Sequence, residues 1–517
     1  MVQKIHDQYQ EFERDREVKL AKSRLYAAAT NPNLLPKDES DVKTNRQIRH
    51  PHSSLPSRGL NDYASKMTST ILPTSGNPFI SVDLPPEIKE SANTDQLNEL
   101  STLSKLLQDM IHQEILSSNA RDIFNVAFKH IAAIGDIVVY QEGMEFSYYR
   151  LDNFVIKRDV NGDPLTLILR KFMREEELDE SQIESLKKDN VTTVRRNSST
   201  FYPYYIKVDF TKDKQTVTEY LGNMLIGKPK TYTDKQPYMV LQYRKDAYED
   251  YSTSLVEENY GDIVSCHALR ETALQAMAVS TIGYIGLIPG SLTPTTLSRT
   301  PNWGVVPIKD ESTIRFFQPD AVQTVTTTTA FAEVINQEIR RIFLMDIASE
   351  LTHDRTTAFQ VSKAIQAVEN SAGPMLSLIR SSLLKPVAMN TINYLIEKGR
   401  VGSVVRDYID DGTLVIDIKS GVAAFDSENE DNKVFQFFLE MAQVAPEQTA
   451  KRFNVDQLIV WRAKQKGIPA ELLYSDDEIE QNQQEAQINT AQQSLLENVG
   501  PAAESILTEQ IKGNLNV

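Results

Sequence analysis

A single cysteine, Cys266, occurs in 517 residues, so neither an intrachain disulfide framework nor a cysteine-based zinc site can form. The seven histidines are scattered without ligand spacing, which argues against a metal enzyme. Glycine is sparse, with 20 residues, about 4% against a usual value near 7%, and this leans toward helix. There is no basic excess: 55 Lys and Arg face 71 Asp and Glu, for a net charge of −16. Nucleic-acid clefts draw affinity from Lys and Arg that displace counterions, so any contact with DNA is expected to be sparse or local. No long apolar run is present. The uncharged stretch Thr272–Ser298 is apolar only as far as Ile288, is broken by Gln275, Ser280, Thr281, Gly283 and Gly286, and stops at Pro289. That falls short of the roughly 20 residues of a membrane span and reads as a buried helix running into a loop. Residues Met1–Arg24 lack the apolar core of a secretory signal. Phosphate-loop, H-E-x-x-H and G-x-S-x-G patterns are missing, and Gly283 and Gly286 lie at a helix end, the wrong context for nucleotide binding.

What remains is enough for an ordinary core: 40% of residues are hydrophobic. The spacing predicts an exposed, charged helix over 5–29, then a proline-rich loop over 30–57, and helices over 60–72, 93–117 and 121–134, the last closed by Gly135. Runs rich in β-branched and aromatic residues follow. Asn161-Gly162 marks a hairpin between Phe154–Val160 and Leu165–Phe172, and residues 174–200 form a polar tip. From Asp262 to Ile282 only Arg270 and Glu271 are charged, which predicts a helix buried on most sides. Five prolines punctuate 289–326 around Trp303. A helix over 328–346 places Phe331, Ile335, Ile339 and Ile342 on one stripe, with Glu333, Gln337 and Arg340 opposite. The polar break Ala348–Thr357 precedes a very long helical segment, 358–398, which Gly373 and Pro374 should kink. Residues 404–418 read as two strands around an Asp-Gly turn, and the remainder as helices with a Gln-rich acidic tail. The class is α+β, mainly helical.

The chemistry-bearing clusters have bland readings. Asp426, Glu428, Glu430 and Asp431 lack the calcium-loop spacing and suit a helix N-terminus. His353-Asp354-Arg355 reads as a polar loop tip, Cys266 as core, and histidines 50, 52, 112, 130 and 267 as surface or satisfied core. A long mixed chain without catalytic chemistry points to a structural or assembly protein.

Four passages carry a resemblance: Arg58–Pro73 (RGLNDYASKMTSTILP), Phe124–Tyr140 (FNVAFKHIAAIGDIVVY), Tyr148–Leu165 (YYRLDNFVIKRDVNGDPL) and the block Tyr260–Gly399. In order and spacing they resemble the head-to-tail connector, or portal, proteins of short-tailed, podovirus-type bacteriophages, over roughly residues 5–470. The tail beyond about 475 matches poorly. The resemblance implies a portal fold assembled as a dodecameric ring around a channel. It implies a wing (1–260 and the strands of 401–424), a first stem helix (261–282), a clip (283–327) and a second stem helix (328–347). A tunnel loop (348–357), a long kinked helix (358–400) and a crown with the C-terminal tail (425–517) would follow.

It further implies a non-enzymatic role without cofactors: a channel at one capsid vertex for genome packaging and ejection, and a platform for terminase and then tail proteins. The expected partners are further copies of the chain, double-stranded DNA, terminase, tail adaptor and tail tube proteins, major capsid and scaffolding proteins, and internal core proteins, with no membrane. The place is the portal vertex of the virion, assembled in the host cytoplasm. In that frame Glu350, Thr352, His353, Asp354 and Arg355 would line the channel. Arg340, Arg341, Lys309 and Arg315 would either steer DNA or serve as subunit ion pairs and solvated charges. Trp303 would anchor a clip contact or pack locally. The alternatives are a ring-forming tail adaptor and, less well supported by motifs, a packaging enzyme.

Overall fold

Apolar residues at three- and four-residue spacings dictate the first helices. In the computed structural model these are α1 (Ile5–Ala29), α2 (Leu55–Ile71), α3 (Thr94–Ser117) and α4 (Ala120–Ala133); α2 begins inside the predicted 30–57 loop, and the other three lie close to the predicted bounds. The structure describes residues 4–36, 51–72, 80–83, 94–178, 194–196, 199–211, 214–233, 235–280, 284–287, 314–317, 322–345, 373–402, 404–411 and 413–418, with a few isolated positions besides. Pro56 lies in the first turn of α2, where a missing N–H leaves no hydrogen bond unmade. Leu60, Tyr63, Ala64, Met67 and Ile71 form the buried stripe of α2, which packs on α4 in the main core. Helix α4 ends at Gly135, whose φ of +107° lets its N–H bond back to His130 and Ile131. A Cβ there would lie 2.5 Å from the Ser252 carbonyl oxygen.

Helix α1 corrects one expectation. It is charged, but it is not simply exposed, because Tyr9 and Arg16 are buried. The Arg16 guanidinium donates to the carbonyls of Leu151, Asp152 and Phe154 at 3.0, 3.1 and 2.7 Å, and to Glu13 at 3.0 Å. Matching of its two terminal nitrogens offsets much of the cost of burying this arginine, while its Nε has no partner among the described residues.

The strand region is antiparallel throughout. β2 (Asp136–Glu142), β3 (Glu145–Tyr149) and β10 (Tyr238–Gln242) form a sheet of order β10-β2-β3. The larger sheet runs β4 (Phe154–Arg158), β5 (Pro164–Arg174), β7 (Ser199–Thr211), β8 (Lys214–Leu221) and β9 (Met224–Tyr232), with β6 (Val194–Arg196) on β7. The predicted hairpin is present: β4 and β5 are joined through Asp159–Asp163, where the Asp159 carboxylate accepts the N–H groups of Asn161 and Asp163. Arg158 on β4 reaches the Asp136 carboxylate on β2 at 3.0 Å, both side chains almost fully buried, and ties the two sheets together. Asp136 also accepts the Ser252 N–H at 2.8 Å.

The chain then turns helical through α5 (Leu255–Glu258) and α6 (Tyr260–Ser280), and reaches a short antiparallel pair, β11 (Tyr284–Leu287) with β12 (Ile314–Phe317). It returns along α7 (Val322–Ile342). In the long helical segment, Gly373–Ile379 are helical and α8 covers Lys385–Glu397. The bend expected at Gly373 and Pro374 falls at the edge of the described residues. The irregularity within them is a π-helical turn, Arg380–Leu384, just ahead of Pro386. Proline offers no N–H to the carbonyl four residues back, so the ladder widens there.

Residues 404–418 are not two strands. Val404–Asp410 form helix α9, and only β13 (Val415–Ile418) is a strand, paired with β1 (Ile80–Asp83) rather than with a hairpin neighbour. Val405, buried, and Tyr408 and Ile409, half-buried, sit at helical spacing and pack on the core. That contact overrides the β-propensity of the valines. The chain divides into two units, Met1–Glu428 and Asn429–Val517; four residues of the second, Phe437, Phe438, Glu440 and Met441, are described, and they are helical. Among the described residues no helix is long and apolar enough to cross a membrane.

Candidate functional site: the α6–α7 helix pair

The pair is rooted by polar anchors. Ser254 caps α5, its Oγ accepting the Glu257 N–H at 3.0 Å, and the same hydroxyl donates to the Ala133 carbonyl at 3.1 Å. The start of α5 is therefore pinned beside the end of α4. Ile263 and Cys266 are the buried side chains described in α6. On α7, Ile339 is buried in the core, as is Phe343 just beyond the helix. The Cys266 thiol donates to Asn336 Oδ1 at 3.4 Å across the pair. Burial raises the pKa of that thiol, so it is no ready nucleophile.

The end of α7 is sealed against α2. Leu344 adopts φ of +57°, a left-handed position usually given to glycine. Its N–H bonds to Arg341 at 3.0 Å, and the Met345 N–H bonds to Arg340 at 2.8 Å. The Lys66 ammonium donates to the Leu344 carbonyl. Phe343 lies over Gly59, where a Cβ would meet the Phe343 ring at 2.5 Å.

Away from this root the pair exposes apolar side chains: Val264, Leu274 and Met277 on α6, Phe331 and Val334 on α7, with Phe331 60% exposed. The expectation of a helix buried on most sides is thus not met within one chain; α6 has α7 along one side and much of its remaining face uncovered. Phe331 is likewise exposed although Ile335, Ile339 and Ile342 on its stripe pack inward, because it lies farther from the root.

Where α6 and α7 meet the start of α2, they enclose an open cavity of about 310 Å³. Arg58, Arg270 and Arg340 line it from three different helices, with Cys266 and Asn336 among the other lining residues. Its wall at Ser53 is fixed by His267. That ring bonds the Ala29 carbonyl through Nε2 at 2.7 Å and takes the Ser53 N–H at Nδ1 at 3.2 Å. Burial lowers the His267 pKa, in keeping with a neutral ring in the Nε2–H form. His52 is exposed and lies 3.4 Å from Glu271.

Of the residues singled out in the sequence, Arg340 lines this cavity and Arg341 is exposed and paired with Glu338 at 2.9 Å. Arg315 lies in β12, in register with Gly286. Trp303, Lys309, Glu350, Thr352, His353, Asp354 and Arg355 lie outside the described residues, as does the cluster Asp426, Glu428, Glu430 and Asp431. Among the described residues, Arg340 is the one predicted side chain that lines this cavity. Arg58, Arg270 and Lys66 escaped sequence reasoning. Arg270 carried a signal, as one of two charges inside an otherwise uncharged helix. Elsewhere His130 is buried, its pKa lowered to about 3 by burial and then by Arg150, and its Nδ1 has no partner. Among the described residues no three His, Cys, Asp or Glu side chains cluster as a metal site.

Comparison with known proteins gives this arrangement its setting. The family described as bacteriophage head to tail connecting protein matches residues 2–473. The portal protein of Enterobacteria phage T3 is 22% identical over 502 residues, covering 96% of this chain and 92% of its own length. The portal protein of Enterobacteria phage SP6 is 22% identical, with 98% and 97% covered. That of Escherichia phage T7 is 23% identical, with 73% and 72% covered. A solved chain from the neck of an empty GTA particle aligns over 66% of this chain and 78% of its own at 12% identity, with a TM-score of 0.35, too low to carry an argument about the fold. With the match running through the β-sheets, the α6–α7 pair and the long helical segment, the chain belongs to the bacteriophage head-to-tail connecting proteins.

Proposed function

We propose that this chain is the subunit of a dodecameric portal ring, the passage for double-stranded DNA at one capsid vertex. It would engage terminase during packaging and tail adaptor and tail tube proteins afterwards, with major capsid, scaffolding and internal core proteins around it. The virion is its place, as a structural protein. Family membership and portal relatives of nearly equal length support this reading. The observation that carries it is the uncovered apolar surface on both helices of the α6–α7 pair. A rotationally closed ring needs two different faces of each subunit to meet, and apolar helix sides supply such contacts.

In this reading α1 to α5 and the two larger sheets form the wing, α6 and α7 the stem, and β11–β12 the base of the clip. The segment 348–357 forms the tunnel loop and the C-terminal unit the crown. A passage should let a polyanion slide, and a subunit with net charge −16 disfavours tight phosphate binding along its walls. Leu274→Asp and Phe331→Asp test the assignment. Each places a charge on a surface that is exposed in the single chain, so the subunit should keep its unfolding midpoint while ring formation is lost, as read by native mass measurement. Rings of unchanged mass and stability in both variants would contradict it.

A further inference from the structure

The cavity at the root of α6 and α7 is basic in an acidic protein. Its three guanidiniums, Arg58, Arg270 and Arg340, converge from α2, α6 and α7. Arg150, Arg158, Arg170, Arg244, Arg341 and Arg400 each reach a carboxylate within the chain. The three cavity arginines have no such partner among the described residues, and none of the described lining residues is a carboxylate. Planar guanidinium groups match carboxylates in bidentate geometry, and three around one opening form a ready receptor for such a group.

We infer that this cavity is an anion socket that receives a carboxylate side chain, Asp or Glu, of a second copy of the chain. The inference rests on the ring reading above. Two observations favour a second copy over nucleic acid. The first is charge complementarity: 71 acidic residues against 55 basic ones leave each copy rich in unmatched carboxylates, while the same negative field opposes a DNA backbone. The second is continuity: the socket opens on the same two helices that expose Val264, Leu274, Met277, Phe331 and Val334, so a neighbour covering that surface would meet it. The socket would then fix the register of a contact that apolar side chains alone leave free to slide.

The test uses the full-length chain. Replacing Arg58, Arg270 and Arg340 together by Gln should leave the single chain's unfolding unchanged and raise the apparent dissociation constant between subunits by about tenfold or more. The wild-type ring should also loosen as sodium chloride is raised, and the Gln variant should lose that salt dependence. Lys at the three positions should restore much of the affinity. On mixed isotope-labelled rings, a carbodiimide should join one of those lysines to an Asp or Glu of another copy. The socket is overturned if Gln-variant rings are as stable as wild type, or if cross-links form only within a chain. It is also overturned if the Gln variant loses affinity for duplex DNA while its rings are unchanged. Failure of the wild-type chain to form rings at all would instead remove the reading beneath it.

Discussion

At the residue scale, the clearest features are buried polar groups whose cost is offset by specific partners. Asp136 and Arg158 form such a pair across two sheets, with Ser252 N–H completing the carboxylate and the Asp250 and Gly162 carbonyls taking further guanidinium donors. Burial pushes the Asp136 carboxyl up, and Arg158 opposes that push. Asp136→Asn leaves a buried cation without its charge partner and should destabilise the chain by about 3 kcal/mol or more in urea unfolding. Joint replacement of both by apolar residues of similar size should cost less than that. His130 makes a second prediction. Burial holds its ring neutral down to about pH 3, whereas the unfolded chain takes up the proton below its ordinary 6.5. The unfolded state then binds more protons, so stability falls as pH drops from about 6.5 toward 3, by up to about 1.4 kcal/mol per pH unit. His130→Phe, which keeps a ring beside Tyr148, should flatten that part of the stability–pH curve.

These residues were poorly legible in the sequence. Nothing in the charged run of α1 distinguishes Arg16 from its neighbours, because its role depends on three carbonyls more than 130 positions away. The same holds for Arg58 beside Arg270 and Arg340: convergence of cations from three helices is a property of packing. Cys266 was readable as a core group and His267 only as either surface or satisfied core; both find partners in the structure.

At the element scale, periodicity succeeded where packing follows it. Helices α1 to α4 and the β4–β5 hairpin lie where spacing and turn residues put them. It failed at 404–410, where tertiary packing turned a β-branched run into a helix, and it gave no sign of the π-helical turn ahead of Pro386. The junction of α2 with the end of α7 yields a sharp expectation. Gly59→Ala forces a methyl into Phe343 and should lower stability by about 1–3 kcal/mol, with Phe343→Leu restoring part of it when both are combined. Thermal or denaturant unfolding of the two single variants and the double variant checks this; additive losses would show that the contact is not the cause.

At the scale of the whole molecule, the telling feature is a disagreement between pattern and burial. The sequence of α6 is that of a helix meant to be covered, yet one chain covers little of it. A sequence can state that a face is apolar, but not whether the covering atoms belong to the same chain. The segment 348–357, between α7 and the long helical segment, belongs to the same scale. Shortening it should spare ring assembly while altering DNA retention, measured as genome content of filled particles; unchanged retention would remove it from the mechanism. Self-association is the property on which the proposed role depends. The most direct measurement is the native mass and rotational symmetry of the purified full-length protein: twelve chains of 58.5 kDa give about 702 kDa, in a closed ring with an axial hole. A protein that stays monomeric or dimeric at high concentration, with Phe331 and Leu274 still open to solvent, would contradict it.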